Sequence, residues 1–279
     1  MKKNDALEII LCLRLMPMSK PLRQGVKSRG KLLLVFLSCL MTGFVLFDAG
    51  VWLDKAVAGN NAGAAFSTWP DTGQDKCYNN SSEITCPSEG EDFYGQDAQY
   101  QGPQRSYTKL KANGVALPDS ATIADGWIMT RDNVTGLIWE IKTSKDDTKD
   151  YSNPHDADNT YTWCDTNSDT NGGHQGTCGD GTDTEDFINA LNSTNFGGYN
   201  DWRLPTIKEL STLVNSNIPH PGPTIDTTYF PNTVSSGYWS STTNANLTSL
   251  AWLVHIYYGY VGDLSKSNNY YVRAVRSGQ

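Results

Sequence analysis

Strands are predicted where apolar and aromatic residues form short runs bounded by turn residues. In the segment 127–140, two such runs flank Arg131-Asp132-Asn133, which predicts a β-hairpin with a bend or bulge at Gly136. In the segment 237–276, the runs GYWSSTT, LAWLVHIYY and NYYVRAVR predict several further short strands. The C-terminal part of the chain is therefore expected to form antiparallel sheet.

Two helices are predicted between these strand regions. The string Thr182-Asp-Thr-Glu185 is a capping box ahead of apolar residues, and it predicts a helix at about 183–193. Thr206-Ile-Lys-Glu209 is a second box, which predicts a helix at about 206–215. The order hairpin, helix, helix, irregular loop and strands predicts an α+β domain with two helices packed on short antiparallel strands.

The N-terminal 58 residues are interpreted as an export segment. Basic residues precede Leu32–Phe47, an apolar run of 16 residues that is short for a membrane-spanning helix and suits a signal peptide. Small residues at 56 and 58 favour cleavage after Ala58, and an uncleaved membrane anchor over residues 1–58 is the alternative. Residues 59–75, rich in Gly, Ala and Asn, are predicted to be a linker.

The cysteines of the remaining chain support export. Residues 76–126 are predicted to form a small disulfide-containing unit, and residues 127–279 the ligand-binding domain. Two near pairs predict the disulfides Cys77–Cys86 and Cys164–Cys178, although four cysteines allow three pairings. Because these cysteines have no C-x-x-C motif and no histidine at ligand spacing, no zinc site is predicted at them.

Charge is unevenly distributed along the chain, whose formal net charge is −8. Residues 1–58 hold nine of the 22 Lys and Arg and four of the 30 Asp and Glu, so the rest has a net charge of −13. Such a body disfavours nucleic acid and anionic membranes as partners, and contact with a membrane is expected only through the N-terminal segment. It also argues against sulfated glycans.

No catalytic constellation is evident, and we expect neither enzyme activity nor a cofactor. The four histidines lie apart in the sequence, and P-loop, dinucleotide-binding and G-x-S-x-G motifs are absent. Arg203, Arg273 and Arg276 are expected to pair structurally with Asp201 or Glu209 rather than to bind anions.

The polar insertion 142–181 offers one candidate metal site. Asp165, Asn167, Asp169 and Asn171 alternate as calcium ligands do. However, Thr170 stands where an EF-hand needs glycine and Gly176 where it needs glutamate. A structural calcium ion and an ordinary Asx-rich surface loop are both compatible with the pattern.

Several strings in this order resemble the family named for the C-terminal domain of the Legionella collagen-like adhesin. They are CYNNSSEITCPSEGEDFYGQDAQY, DNVTGLIWE, TDTEDFINALN, GGYNDWRLPTIKEL, YWSSTT and YVRAVR, within about residues 77–276. The resemblance implies a C-type-lectin-like fold related to formylglycine-generating enzymes, and extracellular binding or adhesion without enzyme activity. The reactive late cysteines of those enzymes are missing here, since none follows Cys178.

The C-terminal strands also resemble the variable regions of proteins diversified by retroelements. In such proteins, mutagenesis at adenines scatters a characteristic set of residues over one binding face. The matching positions, which are the predicted ligand-binding residues, are Asn246, Leu247, Ser249, Leu253, His255, Tyr257, Tyr258, Tyr260, Asp263, Leu264 and Ser265.

Strand alternation supports an exposed face there. It places Trp252, Val254 and Ile256 on one side, and Leu253, His255 and Tyr257 on the other. We expect the first set to face the core and the second to be exposed with Tyr258 and Tyr260. The alternative is a strand buried on both sides with a Tyr-rich end.

These observations together predict an exported, surface-associated or secreted binding protein whose ligand is a protein or a cell-surface structure. A diversified receptor is the first interpretation. A fixed lectin or adhesin for glycans and a structural envelope protein without a specific ligand are the alternatives.

Overall fold

A computed structural model describes residues 68–278. The predicted export segment 1–58 and residues 59–67 of the predicted linker lie outside this range. The strands are β1 (Cys77–Tyr78), β2 (Glu83–Ile84), β3 (Tyr107–Leu110), β4 (Met129–Asp132), β5 (Leu137–Glu140), β6 (Gly237–Thr243), β7 (Leu250–His255), β8 (Tyr260–Ser265) and β9 (Val275–Ser277). The α-helices are α1 (Thr184–Ser193) and α2 (Ile207–Ser211).

The strands form three antiparallel sheets. β1 pairs with β2, the order β3-β4-β5-β9 makes a four-stranded sheet, and β6-β7-β8 makes a three-stranded sheet. The predicted hairpin at 127–140 is confirmed as β4–β5, with Gly136 in the turn at φ +76°. Strand β8 was missed, because its residues 260–265 lie between the predicted runs LAWLVHIYY and NYYVRAVR.

The prediction of an α+β, C-type-lectin-like fold with two helices on short strands is wrong. The described residues form nine strands in three antiparallel sheets but only two α-helices, and α2 has five residues instead of the predicted span 206–215. The helix ends early because the main-chain N of Val214 donates to the carbonyl oxygen three residues back, that of Ser211 (3.2 Å), and the main-chain N of Asn215 donates to the carbonyl oxygen of Thr224 at 2.9 Å. The Arg105 guanidinium then binds the free carbonyl oxygens of Thr212 and Val214. These partners lie outside the helical pattern, which therefore did not show where the helix ends.

Both helices begin at a residue whose side chain caps the helix N-terminus. Thr206 and Glu209 form the predicted box at α2. At α1 the prediction is wrong by one residue, because the cap is Asp183, whose carboxylate accepts hydrogen bonds from the main-chain N atoms of Glu185 and Asp186. A carboxylate and a threonine hydroxyl are both good N-caps, so adjacent candidates compete.

The four-stranded sheet takes strands from both sides of the predicted domain boundary at 126/127. β3 pairs with β4 over Tyr107–Leu110 and Met129–Asp132. The boundary itself stays a prediction. Within residues 68–278, the helices are too short and too polar to cross a membrane.

Strand β7 is buried on both faces between two hydrophobic cores. The first core includes Trp163, Phe187, Trp202 and Trp239, and the second includes Trp139, Leu210, Phe230 and Tyr238. Ala251 and Leu253 of β7 pack in the first core, whereas Val254 and Ile256 at its end pack in the second. The three-stranded sheet is therefore held rigidly from both sides.

Buried charges join β5 to the C-terminal strand. Oε1 of Glu140 lies 3.0 Å from Nζ of Lys142 and 2.9 Å from Nδ1 of His155, and the Arg273 guanidinium donates to the Glu140 carbonyl oxygen at 2.7 Å. Burial by itself raises the pKa of the Glu140 carboxyl, but the nearby positive charges outweigh it and lower this pKa to about 2. Glu140 is therefore ionised in the interior of the protein.

Both predicted disulfides are present. The Cα atoms are 5.0 Å apart in Cys77–Cys86 and 5.2 Å apart in Cys164–Cys178. The first disulfide closes the β1–β2 hairpin, and the second closes the polar loop 165–177 against the start of α1.

Candidate functional site

The predicted ligand-binding residues form two groups at opposite ends of the β7–β8 hairpin. The register pairs Leu250 with Ser265 at one end and His255 with Tyr260 at the other, five residues and therefore about 17 Å away. The turn end carries His255, Tyr257, Tyr258 and Tyr260, and the other end carries Asn246, Leu247, Ser249, Asp263, Leu264 and Ser265.

Leu253 belongs to neither group. The expectation that Leu253 is exposed is wrong, because its side chain is 1% exposed and packs in the first core. Strand alternation separates the two faces of β7 correctly, but both faces are covered. The alternative of a strand buried on both sides with a Tyr-rich end matches the structure.

The turn end forms a cluster of rings that we call the aromatic face, consisting of His220, His255, Tyr257, Tyr258 and Tyr260. The centroid of the His255 ring lies 5.4 Å from those of Tyr258 and Tyr260, and the Tyr257 and Tyr258 centroids are 4.5 Å apart. Tyr258 is 56% exposed and Tyr260 50% exposed. The face is therefore a solvent-accessible aromatic patch in which each ring is held by its neighbours.

A tight turn sets the position of these rings. The main-chain N atoms of Tyr258 and Gly259 both donate to the carbonyl oxygen of His255, at 3.2 and 2.8 Å. Gly259 has φ +76°, a conformation that favours glycine. Thr224 follows a proline-rich loop that contains Pro219, Pro221 and Pro223. Its main-chain N (2.9 Å) and Oγ1 (2.7 Å) donate to the carbonyl oxygen of Ile256, which fixes the turn to this Pro-rich loop.

His220 is a member of the aromatic face that the sequence did not reveal. Its ring centroid lies 5.9 Å from that of Tyr258 and 6.5 Å from that of Tyr257. His220 and His255 are distant in sequence, yet both contact Tyr258. Its position between two prolines gave no signal for this contact, which depends on the long-range bonds of Thr224.

His255 has an apolar environment at the base of the face. Its Nδ1 atom is buried and has no hydrogen-bond partner among the described residues, and burial lowers the pKa of its ring. The His255 imidazole is therefore neutral at neutral pH.

The other end of the hairpin is more polar and is partly used for structure. Nδ2 of Asn244 donates to Oδ2 of Asp263 at 2.7 Å, and Oδ1 of Asn244 accepts from the main-chain N of Asn246 at 2.8 Å. Leu247 at the loop tip is 59% exposed. Asp263 thus positions the loop that presents Leu247.

The candidate calcium ligands act within their own loop. Side-chain oxygens of Asp165, Asn167 and Asn171 each accept a hydrogen bond from the main-chain N two residues later, at 2.8–3.0 Å. The loop binds the ammonium group of Lys266. Nζ of Lys266 donates to the carbonyl oxygens of Asn171 (3.0 Å) and His174 (2.5 Å). Such Asx turns are typical of polar surface loops.

The arginines of the motif strings have structural partners. Arg203 forms a bidentate pair with Glu209 at 2.7 and 2.8 Å, and Arg276 forms one with Asp201 at 2.7 and 3.1 Å. Both pairings were predicted. Arg273 instead donates to main-chain and hydroxyl oxygens in the interior.

A comparison with family models supports the resemblance found in the motif strings. The model of the Lcl C-terminal domain matches residues 128–276, which is more than half of the 279-residue chain. This region includes the aromatic face and strands β4 to β8. No curated protein and no solved structure matches the chain. The chain belongs to the Lcl C-terminal domain family.

Proposed function

We propose that this protein is an exported adhesion protein without enzyme activity, which binds a protein or cell-surface ligand through the aromatic face. The observation that carries the proposal is the exposure of Tyr258 and Tyr260 in a cluster fixed by a rigid turn. Tyrosine provides a large contact area with a polar tip at low cost in conformational entropy, which is why binding surfaces use it. Two disulfides support an extracellular location.

A cell-adhesion assay tests this proposal. The full chain is displayed on a non-adherent bacterium, and attachment to a panel of cell surfaces is counted. The triple variant Tyr257→Ala, Tyr258→Ala and Tyr260→Ala is expected to lose attachment. The matched control is the triple variant Tyr78→Ala, Phe93→Ala and Tyr94→Ala. It removes exposed aromatic rings outside the β7–β8 hairpin and is expected to keep attachment. Full attachment by the first triple variant would place binding outside the aromatic face, and absence of attachment by the unmodified chain would support a structural envelope protein instead.

The finer proposal is that retroelement-directed mutagenesis diversifies this surface. Five of the eleven candidate positions are exposed, and they lie at both ends of the hairpin while β7 between them is buried; they are Asn246, Leu247, Ser249, Tyr258 and Tyr260. Sequence change at these positions leaves the two cores intact.

Sequencing the DNA that flanks the gene tests the diversification. A near-copy of the codons for residues 239–276, differing at adenines and lying beside a reverse transcriptase gene, is the expected result. Absence of such a copy in several isolates whose codons 239–276 are identical would identify a fixed binder, for which glycans would be the next ligands to screen.

A further inference from the structure

A cleft of about 430 Å³ lies at the other end of β6 from the aromatic face. Ser241 of β6 contributes to the cleft, whereas Gly237, which pairs with His255, lies at the opposite end of the strand, about 13 Å away. The lining comes from the disulfide loop, α1, the segment 203–206 and β6, and its polar groups include Asp165, Glu185, Arg203 and Ser241. This volume falls in the range of small-molecule sites.

One part of the lining offers unused hydrogen-bond donors. The terminal nitrogens Nη1 and Nη2 of Arg203 donate to the Glu209 carboxylate, whereas its Nε makes no hydrogen bond with a described residue. The edge formed by Nε and the second Nη2 hydrogen is therefore free for a planar two-oxygen group. The Ser241 hydroxyl also lacks a hydrogen bond to the described residues, and its main-chain N is fixed to the Pro205 carbonyl oxygen at 2.8 Å.

Another part of the lining offers carboxylates with spare acceptor capacity. Oδ1 of Asp165 accepts from the main-chain N of Asn167 at 2.9 Å, and Oδ2 accepts from Thr170 at 2.7 Å. Oε1 of Glu185 accepts from Thr166 at 2.7 Å. Each of these oxygens can accept a further bond. Because Glu209 compensates the charge of Arg203, the cleft has a net negative charge and disfavours a simple anion.

The apolar lining lies among these polar groups. Trp163 and Leu204 are buried, and Ile188 is half-buried beside them in the first core. A ligand that fills the cleft therefore needs an apolar part in addition to its charged groups.

We infer that the cleft binds a small zwitterion of the α-amino-acid type with an apolar side chain. Its carboxylate accepts from Nε of Arg203 and from the Ser241 hydroxyl, its ammonium group donates to Asp165 and Glu185, and its side chain contacts the apolar lining. This site is separate from the aromatic face and does not depend on the proposed adhesion.

Calorimetric titration of the full chain with three matched compounds tests the inference. Leucine has both charged groups, 3-methylbutylamine lacks the carboxylate, and 4-methylpentanoate lacks the ammonium group. Leucine is expected to bind at least tenfold more tightly than either analogue. Absence of leucine binding would overturn the inference, and so would an analogue that binds as tightly as leucine.

Two single substitutions test which lining residues contact the carboxylate and which contact the ammonium group of the ligand. Ser241→Ala is expected to weaken leucine binding about fivefold and to leave the weaker amine binding unchanged. Glu185→Gln keeps an acceptor for Thr166 but removes the charge, and it is expected to weaken leucine and the amine at least tenfold. Tyr100→Ala, at an exposed tyrosine outside both candidate sites, serves as the control, and urea unfolding verifies that each variant is folded. Leucine binding unaffected by both Ser241→Ala and Glu185→Gln would place the ligand elsewhere.

Discussion

Substitution of Lys266 by methionine tests how the polar loop 165–177 is held. The Lys266 side chain is 1% exposed, and its ammonium group donates to the carbonyl oxygens of Asn171 and His174 and to Oγ1 of Thr243 at 2.9 Å. Nζ also lies 3.7 Å from the centroid of the Trp163 ring. Methionine keeps the length and the apolar part of the side chain but removes all of these interactions.

The magnitude follows from the partners that are left. The Asn171 carbonyl still accepts from the Thr243 hydroxyl at 3.0 Å, whereas the His174 carbonyl loses its donor. Loss of the hydrogen bonds donated by a charged group costs about 1.5–3 kcal/mol, and loss of the cation–π contact costs about 1–2 kcal/mol. Burial lowers the pKa of Lys266 to about 8, which reflects the cost of desolvating the ammonium group and offsets part of this loss. We expect Lys266→Met to lower the free energy of unfolding by about 2–4 kcal/mol.

Urea unfolding and amide hydrogen exchange measure the two consequences. The loop amides of Asp165 and Thr177, which donate to the carbonyl oxygens of Gln175 and Trp163, are expected to exchange faster while the disulfide stays closed. Lys208→Met is the matched control, since Lys208 is exposed, and its effect is expected to stay within about 0.5 kcal/mol. A change below about 1 kcal/mol for Lys266→Met, with loop exchange unaltered, would refute the reasoning.

Three further predictions concern the fold. The pKa of the Glu140 carboxyl is about 2 in the folded protein against 4.5 for an unperturbed glutamate. Its contribution to the free energy of unfolding is therefore complete above pH 4.5 and is lost as the pH falls toward 2. If Glu140→Gln unfolds in acid with the same pH dependence as the parent protein, this prediction is wrong. Thr206→Ala removes the α2 cap and is expected to cost about 1 kcal/mol in urea unfolding, whereas Thr206→Ser should recover most of it. Leu253→Ala is expected to cost about 2–5 kcal/mol, and a cost below about 1 kcal/mol would show that β7 is not covered on both sides.

The features that the sequence predicted correctly depend on neighbouring residues. The box of Thr206 and Glu209 joins residues three positions apart, and the β4–β5 hairpin needs a turn of four residues ending at Gly136. The disulfide Cys164–Cys178 likewise joins cysteines only 14 residues apart. Local geometry determines such features, so the pattern contains them.

The features that were missed depend on contacts between distant segments. The main-chain N of Asn215 donates to the carbonyl oxygen of Thr224 instead of continuing α2, so the helix is shorter than the pattern predicted. Leu253 looks like a surface residue until the first core is placed over its face of the strand. His220 joins the aromatic face only because Thr224 fixes the Pro-rich loop to the β7–β8 turn.

The same distinction applies to the two candidate sites. Tyr257, Tyr258 and Tyr260 are close in sequence; Tyr258 and Tyr260 are exposed at the turn as expected, whereas Tyr257 is half-buried. The cleft instead combines Asp165, Glu185, Arg203 and Ser241 from four separate segments. A site of this kind becomes visible only once the chain is folded.

Site-specific crosslinking measures the central claim most directly. A photoreactive benzoyl-phenylalanine replaces Tyr258 in one form of the displayed protein and Tyr100 in another, since both tyrosines are largely exposed. After attachment to target cells and illumination, the account predicts crosslinked cell-surface material from position 258 and none from position 100. Crosslinks of equal yield from both positions, or from position 100 alone, would contradict binding through the aromatic face.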